Sequence, residues 1–460
     1  MIKIYGHYFN RRTLLQVCFD LALVLVVMLS VMLAHAPEPH VDVSLALIYA
    51  LVMAFGILAG NTGLGFYQRV HNRTVGQTHA RAVLGFCGSV VLAVAVWSLS
   101  PLTGLQAKAL QSAQGAAVVL MLVTRIFVTY MTPREYLRQR VLILGTGKPA
   151  KIVGRSLKKS DPNVDLVGYF ASPNETATVV SAWGLLEPGK TLTEIVDTEK
   201  VDEIVVALTE RRGGSMPLRE LLDCKLRGIR VMDIATHFEK TLGQIRLDSV
   251  SAGWLIFGEG FGRGWGRAAV KRVFDILCAS ILIVLTLPIM VVTGLLILLE
   301  SKGPMLYFQE RVGLNGRLFN VVKFRSMRTD AEQDGKPRWA SASDDRVTRV
   351  GRVIRKLRID ELPQLFGVLG GSMSLVGPRP ERPFFVDQLT QKIPFFAVRQ
   401  SVKPGVTGWA QVRYQYGASV EDAAEKLQYD LYYVKNHNLF LDIIILFETV
   451  GVVLMRKGAQ

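Results

Sequence analysis

The chain has 460 residues, half of them hydrophobic, and 54 Lys and Arg against 38 Asp and Glu give a formal charge of +16. With a mean hydropathy of +0.29, this is high for a soluble protein and points to membrane segments within a chain long enough for roughly two to four domains. The basic excess suits anionic lipid or phosphate ligands rather than nucleic acid, since no basic, aromatic-studded module is present; the scattered Cys18, Cys87, Cys224 and Cys278 show neither metal spacing nor a disulfide framework, which fits a reducing compartment.

Four apolar runs open the sequence, roughly 14–34, 43–65, 82–99 and 111–131, each long enough to cross a bilayer as a helix. The first is too long, and lacks the small-residue cleavage site, for a cleavable signal. Lys3, Arg11 and Arg12 precede it, Arg69, Arg73 and Arg81 lie between the second and third runs, and Arg134, Arg138 and Arg140 follow the fourth. The loops "HAPEPHVD" and "SPLTGLQAKAL" carry one lysine between them. This bias predicts a four-helix transmembrane bundle over residues 1–135 with both ends in the cytoplasm.

Residues 136–256 read as a Rossmann-like α/β domain. "RVLILGTGKPAKIVGRSLKK" is strand, glycine turn and helix, and "VDLVGYF", "VDEIVVAL" and "GIRVMDI" are further buried strands, so a parallel, doubly wound sheet is predicted. Gly145, Gly147 and Ala150 form the dinucleotide fingerprint G-x-G-x-x-A, yet no acid stands at Phe170 to Ser172 to hold a ribose. A working dinucleotide site and a structural or regulatory domain are both open readings.

A glycine- and arginine-rich linker, 257–272, leads into a fifth apolar run, 273–300. Strongly basic segments follow this run as well as precede it, which argues that both flanks lie on the cytoplasmic side. Pro288 near its middle removes a backbone hydrogen bond and can kink the helix. The run is therefore predicted to enter one leaflet, bend at Leu287-Pro288 and return, with Lys271 and Arg272 anchored among lipid phosphates and Asp275 needing a partner, expected to be a cation. An ordinary kinked span is the alternative.

Residues 301–460 gather phosphate-binding residue types on stiff loops: Arg311 before Gly313 and Gly316, Lys323 and Arg325 in "KFRSM", Arg355, Arg379 between two prolines in "GPRP", and Lys403 in "KPG". Among these cations stand the adjacent acids Asp360 and Glu361 in "KLRIDELPQLFGVL". Neighbours on a helix point about 100° apart and do not share a face. If both serve one site, Asp360 should sit at or before the first helical turn, as Pro363 also suggests. A carboxylate there can cap the helix, hold a divalent metal or attack phosphorus, and its neighbour can take or steer a proton. The apolar segment "DIIILFETVGVVLMRK" can lie on a membrane surface or pack in the core.

From about Lys271 onward, "KRVFD", "KFRSM", "RIDELPQL", "SLVGPRP", "KPGVTGWAQV" and "YDLYYVKN" resemble the catalytic domain of bacterial monotopic phosphoglycosyl transferases, the polyprenyl-phosphate hexose-1-phosphate transferases, over about 190 residues. The preceding bundle and Rossmann-like domain resemble the large, exopolysaccharide-initiating form. The resemblance implies a mixed membrane protein with an α+β catalytic domain and a re-entrant helix. It implies ping-pong transfer of a sugar phosphate from a UDP-hexose to undecaprenyl phosphate, with Mg²⁺ and release of UMP, on the cytoplasmic face of the bacterial inner membrane. By analogy it admits a homodimer through the soluble domain.

Carried over by residue, Asp360 is the nucleophile and a metal contact, and Glu361 is its partner. Lys323, Arg355, Arg379 and Asp430 lie in or beside the active site, Lys271, Arg272 and Asp275 mark the start of the re-entrant helix, and Pro288 marks its break. Two departures stand out: Arg358 replaces the serine or threonine often found two residues before the aspartate, and Leu287, after Thr286, replaces a serine before the proline. The rival readings are a membrane-anchored Rossmann-type sugar-nucleotide oxidoreductase and a non-enzymatic, lipid-binding assembly protein.

Overall fold

The computed structural model describes residues 2–4, 7–9, 11–34, 43–64, 67, 75–98, 100, 102, 104–131, 139–160, 164–172, 179–181, 184–186, 189–208, 216–249, 261, 264–328, 346–414, 417 and 419–454. It holds two compact units, one of residues 9–61 and 66–242 and the other of residues 2–8, 62–65 and 243–460. The charges at Arg69, Arg73, Arg134 and Arg138, the loop "HAPEPHVD" and residues 257–260 of the linker lie outside the described residues.

The first unit opens with helices Arg11–Ala34, Val43–Gly63, Val75–Ser98 and Gly104–Met131. Three carry stretches long and apolar enough to cross a membrane, Thr13–Ala34, Val43–Thr62 and Gln106–Thr124, while the remaining one has a shorter apolar stretch, Gly85–Ser98. Gln77, Thr78, His79 and Arg81 make its first turns polar. Ala46, Ala50, Ala54, Ala113 and Ala117 are buried with Met28, Met53 and Leu110; small side chains let helices approach where lipid removes the hydrophobic drive. Asp20, buried in the first helix, accepts a hydrogen bond from the Tyr67 hydroxyl at 2.6 Å.

The same unit contains a four-stranded, all-parallel sheet. Its strands are Gln139–Leu144, Val164–Phe170, Glu203–Val206 and Arg230–Asp233, placed in the order second, first, third, fourth. Val141, Ile143 and Val205 face Ala150, Val153, Leu157 and Phe238 from helices Lys148–Ser160 and Ile234–Leu242. Leu142, Leu144, Ile204 and Val206 face Leu192, Ile195, Leu221 and Cys224 from helices Leu192–Thr198 and Leu218–Leu226. Coverage of both faces is why these strands read as continuous apolar runs rather than alternating ones.

The second unit is mostly helical. Helix Trp265–Glu300 runs unbroken for 36 residues with Pro288 inside it. Residues 265–272, read from sequence as linker, are its first two turns; Arg267, Ala268, Ala269, Lys271 and Arg272 are good helix formers and outweigh the glycines around them. An antiparallel hairpin follows, Leu306–Val312 with Leu318–Phe324. Next come helix Arg349–Lys356, a 3-10 turn Ile359–Glu361 and helix Gln364–Gly370. Strands Ser374–Val376 and Gly405–Thr407 form a short parallel ladder. Helices Pro383–Lys392, Trp409–Arg413, Val420–Asn436 and Leu439–Leu454 complete the unit.

Its core gathers Trp409, Leu431, Tyr432, Tyr433, Phe396 and Val368. Trp409 stacks on Tyr432 with ring centroids 5.8 Å apart and donates its indole N–H to the Gly243 carbonyl at 2.7 Å. Leu441 and Ile445 are fully buried in this core, so the apolar segment near the C-terminus spends one face on packing.

Gly145, which ends the first strand of the sheet, holds a left-handed φ of 125°, and a Cβ built there meets the Ala207 carbonyl oxygen at 2.6 Å. Replacing it with alanine should lower the stability of the sheet by at least about 1 kcal/mol, read as faster limited proteolysis within residues 139–242; unchanged proteolysis would show that the turn relaxes freely.

Candidate functional site

Helix Arg349–Lys356 is opened by Thr348, whose hydroxyl accepts the Gly351 N–H at 2.9 Å. Arg358 then adopts a left-handed φ of 59°, which swings the chain out of the helix and sets Ile359–Glu361 into a single 3-10 turn. Pro363 immediately precedes helix Gln364–Gly370. Asp360 and Glu361 thus sit before that helix, where the 100° spacing does not apply. Ile359 and Leu362 on either side of them pack with Met290, Ile297, Phe324 and Ile354, which fixes the turn from its apolar face.

Both carboxylates are 9% exposed, but their surroundings differ. Glu361 Oε1 is met by Arg379 at 3.0 Å, Lys323 at 3.5 Å and Arg358 at 3.7 Å. Burial opposes its ionisation, yet the three cations outweigh burial and hold its carboxyl well below the usual range. Asp360 Oδ1 is buried with no hydrogen-bond partner. Burial and the neighbouring Glu361 charge push Asp360 up to about 6, with Lys323, Arg358 and Arg379 only partly offsetting them. Burial also draws the Lys323 ammonium down.

The cations are themselves held from behind. Lys323 stands on the hairpin opposite Tyr307. Four residue pairs along, Arg311 directs its guanidinium onto Gln309 Oε1 and donates to the Pro380 carbonyl at 3.0 Å, with Glu381 at 3.7 Å; burial lowers its pKa to about 10. Arg399 donates to the Arg379 carbonyl and to Asp430, each at 2.8 Å. Burial pushes Asp430 up to about 6 against the pull of Arg399. The loop bearing Arg379 is also pinned to the loop after Lys403: Gly377 donates to the Thr407 carbonyl at 2.9 Å and Gly405 to the Pro378 carbonyl at 3.0 Å. A Cβ at Gly377, Gly405 or Gly408 would lie within 2.3 Å of facing backbone. "SLVGPRP" and "KPGVTGW" are therefore one device for aiming Arg379.

The structure thus brings Asp360, Glu361, Lys323 and Arg379 together, with Arg311 and Asp430 one layer behind. Arg325 is placed elsewhere: its guanidinium donates to the Ser301 and Lys302 carbonyls at 2.9 Å and closes the end of the long helix instead of facing the acids. Arg355 is half-buried in the helix before the turn, and Lys403 is half-buried beside Gly371 and Arg272.

At the other end of the long helix, Lys271 donates to Asp442 at 2.6 Å and to the Val376 carbonyl at 3.3 Å. Arg272 donates to the Val368 and Leu369 carbonyls at 2.6 and 2.7 Å. Both are bonded to protein partners. Asp275 accepts from the Ser374 hydroxyl at 2.8 Å and the Leu375 N–H at 3.3 Å, with Lys271 farther off at 3.9 Å. A hydroxyl and an amide, rather than the expected cation, are its nearest partners. Near Pro288, the Thr286 hydroxyl donates to the Leu282 carbonyl at 2.7 Å.

Sequence reasoning missed Arg399 and the contact from Arg358. A lone arginine inside the apolar stretch "PFFAVRQSV" was a usable signal, because buried arginines are almost always paired. For a metal, Asp360 Oδ1 is the fitting donor: it is buried and unpartnered. Among the described residues no group of three or more His, Cys, Asp or Glu side chains stands ready to cage an ion. Mg²⁺ in general takes one or two carboxylates and completes its shell with waters and substrate phosphates.

Residues 266–456 match the family described as bacterial sugar transferase. The chain is 46% identical over 245 residues to the UDP-N-acetylgalactosamine-undecaprenyl-phosphate N-acetylgalactosaminephosphotransferase of Aeromonas hydrophila, covering 53% of this chain and 56% of that protein. It is 45% identical over 195 residues to the undecaprenyl-phosphate glucose phosphotransferase of Komagataeibacter xylinus, covering 41% of this chain and 36% of that one. It is 31% identical over 333 residues to the UDP-glucose:undecaprenyl-phosphate glucose-1-phosphate transferase of Xanthomonas campestris pv. campestris, covering 70% and 68%. The matched stretches thus span about half of the Aeromonas protein and about a third of the Komagataeibacter one.

The unequal surroundings of the two acids predict opposite responses to neutralisation. Because folding raises the Asp360 pKa, the stabilisation it gives at low pH is lost as pH rises through about 6. Asp360→Asn should raise the stability of this unit by about 1–3 kcal/mol at pH 7, with the gain vanishing near pH 4. Glu361→Gln leaves three cations facing no charge and should cost about 3 kcal/mol. Thermal unfolding of the two variants across pH checks both signs.

Proposed function

Because the chain belongs to the bacterial sugar transferase family, we propose that it transfers a hexose-1-phosphate from a UDP-sugar to undecaprenyl phosphate, releasing UMP, as the first membrane step of exopolysaccharide or related glycan assembly. The observation that carries this reading is the division of labour in the dyad. Glu361 is clasped by Arg379, Lys323 and Arg358, whereas Asp360 beside it has a buried oxygen with no donor. A carboxylate whose lone pairs are not engaged and whose charge is poorly solvated is a competent nucleophile.

In the first displacement an Asp360 oxygen attacks the phosphorus that bears the sugar, and the bond to the oxygen of the departing UMP breaks. In the second, a phosphate oxygen of undecaprenyl phosphate attacks the same phosphorus, and the bond to Asp360 breaks, restoring the carboxylate. The acceptor phosphate loses its second proton near pH 6, so no strong base is required. Glu361, held ionised, keeps Arg379 and Lys323 aimed where the diphosphate charge lies. A Mg²⁺ ion held by Asp360 and substrate phosphates would offset the repulsion between an anionic nucleophile and an anionic diphosphate.

The same reading makes Trp265–Glu300 a helix that enters one leaflet and returns, on the cytoplasmic face of the inner membrane. At 36 residues it is about 54 Å long, well beyond the roughly 30 Å hydrocarbon core. Both its ends are bonded to the same unit: Lys271, Arg272 and Asp275 at one end, Glu300 and Ser301 at the other. Val284, Leu285 and Leu299 between or near them are more than two-thirds exposed, which suits contact with lipid. One substrate is cytosolic and the other presents its phosphate at the membrane surface, so a half-inserted unit meets both.

Incubation with a UDP-hexose, Mg²⁺ and undecaprenyl phosphate should release UMP, and intact-mass measurement without the acceptor should show a sugar-phosphate adduct that maps to Asp360. No UMP, or an adduct elsewhere, would sink the reaction or the nucleophile respectively. A cysteine at the exposed position Lys392 should react only with cytoplasmic reagents; periplasmic labelling would restore the full span.

A further inference from the structure

We propose that Glu300, together with Arg272, is a positioning residue that ties the placement of Asp360 to the geometry of the membrane helix. The dyad turn hangs between two helices, and each is fastened at its far end to a different end of Trp265–Glu300. On the upstream side, Glu300 accepts the Arg349 N–H at 2.7 Å and the Val350 N–H at 3.1 Å, the first amides of helix Arg349–Lys356. On the downstream side, Arg272 donates to the Val368 and Leu369 carbonyls, in the last turn of helix Gln364–Gly370. Between these fastenings Ile359 and Leu362 rest on Met290 and Ile297 of the same membrane helix.

The contact from Glu300 is more than a cap. Thr348 already caps that helix through the Gly351 amide and accepts the Arg352 N–H on its carbonyl. Glu300 reaches the remaining amides from 49 residues away in sequence, so it supplies a long-range tether to a helix that has its own local cap. Lys323 and Arg379, by contrast, are placed by the hairpin and by the parallel ladder. The separation of residues 272 and 300 along the membrane helix therefore governs where Asp360 stands relative to the cations carried on the hairpin and the ladder. This couples a correctly seated membrane helix to a competent nucleophile.

The inference rests on the transfer reaction proposed above, and its test includes a readout that does not depend on that reaction. Full-length protein in lipid nanodiscs is compared with Glu300→Ala and, should that variant fold poorly, Glu300→Gln, which keeps an acceptor oxygen. Hydrogen–deuterium exchange over Leu357–Leu362 should rise about fivefold in Glu300→Ala, the effect of losing one cap, while helix Val420–Asn436 exchanges as in the parent, with Glu300→Gln intermediate. The kcat for UMP release should fall at least about tenfold, as expected for a misplaced reacting group, with KM for the UDP-sugar changed less than about twofold. Unchanged exchange in the dyad turn would overturn the proposal. So would a uniform rise across the unit with kcat and KM moving together, which marks a merely structural residue. Absence of UMP release by the parent protein would refute the transfer reaction and leave the exchange result to decide the tether.

Discussion

Two carboxylates one residue apart, both withdrawn from water, cannot be equally comfortable as anions. The protein resolves this by giving nearly all the local positive charge to one of them. Arg379, Lys323 and Arg358 converge on a single oxygen of Glu361, and Asp360 is left with an oxygen that no group among the described residues satisfies. Burial without a partner is costly, and here the cost is concentrated on the group that the proposed chemistry uses. Lys323 and Arg379 need strong external support, because a cation that drifted toward Asp360 would even out the pair.

That support explains features distant from the acids. Arg311 and Arg399 hold successive carbonyls of the loop that carries Arg379, at Pro380 and at Arg379 itself, and Asp430 balances Arg399 from the core. Three glycines permit two loops to meet backbone to backbone where any side chain would collide. Residues that looked like phosphate ligands are thus sorted by their free valence. Arg311 and Arg325 spend their donors on carbonyls, and Arg379 spends one guanidinium nitrogen on Glu361 while its side chain remains 38% exposed.

The membrane helix shows a comparable economy of charge. Its charged residues are gathered at the two ends, and four of them meet groups elsewhere in the second unit: Lys271 meets Asp442, Arg272 meets two carbonyls, Asp275 meets a hydroxyl and an amide, and Glu300 meets two amides. The long apolar stretch between them keeps exposed leucines, isoleucines and valines. A segment built this way is held by its ends to the rest of the unit and leaves its apolar middle open to lipid.

Much of this was legible in the sequence. Periodicity and turn residues located the long helices, the four parallel strands and the glycine turn at Gly145, because those features depend on neighbours a few residues apart. Pro363 placed the acids before a helix, because proline is favoured at a helix start. Local pattern failed where partners are far apart in the chain. Nothing near Arg325 said that its guanidinium would close a helix ending some two dozen residues earlier, nothing near Arg399 said that it would grip the Arg379 carbonyl, and Asp275 gave no hint of Ser374. The sequence by itself determined which elements form and which residue types could meet phosphate, since both follow from local propensity and side-chain chemistry. Only the tertiary structure decided which acid receives the cations and which is left unpaired, because that depends on how burial and charge are shared among residues 323, 358, 361 and 379, brought together by folding.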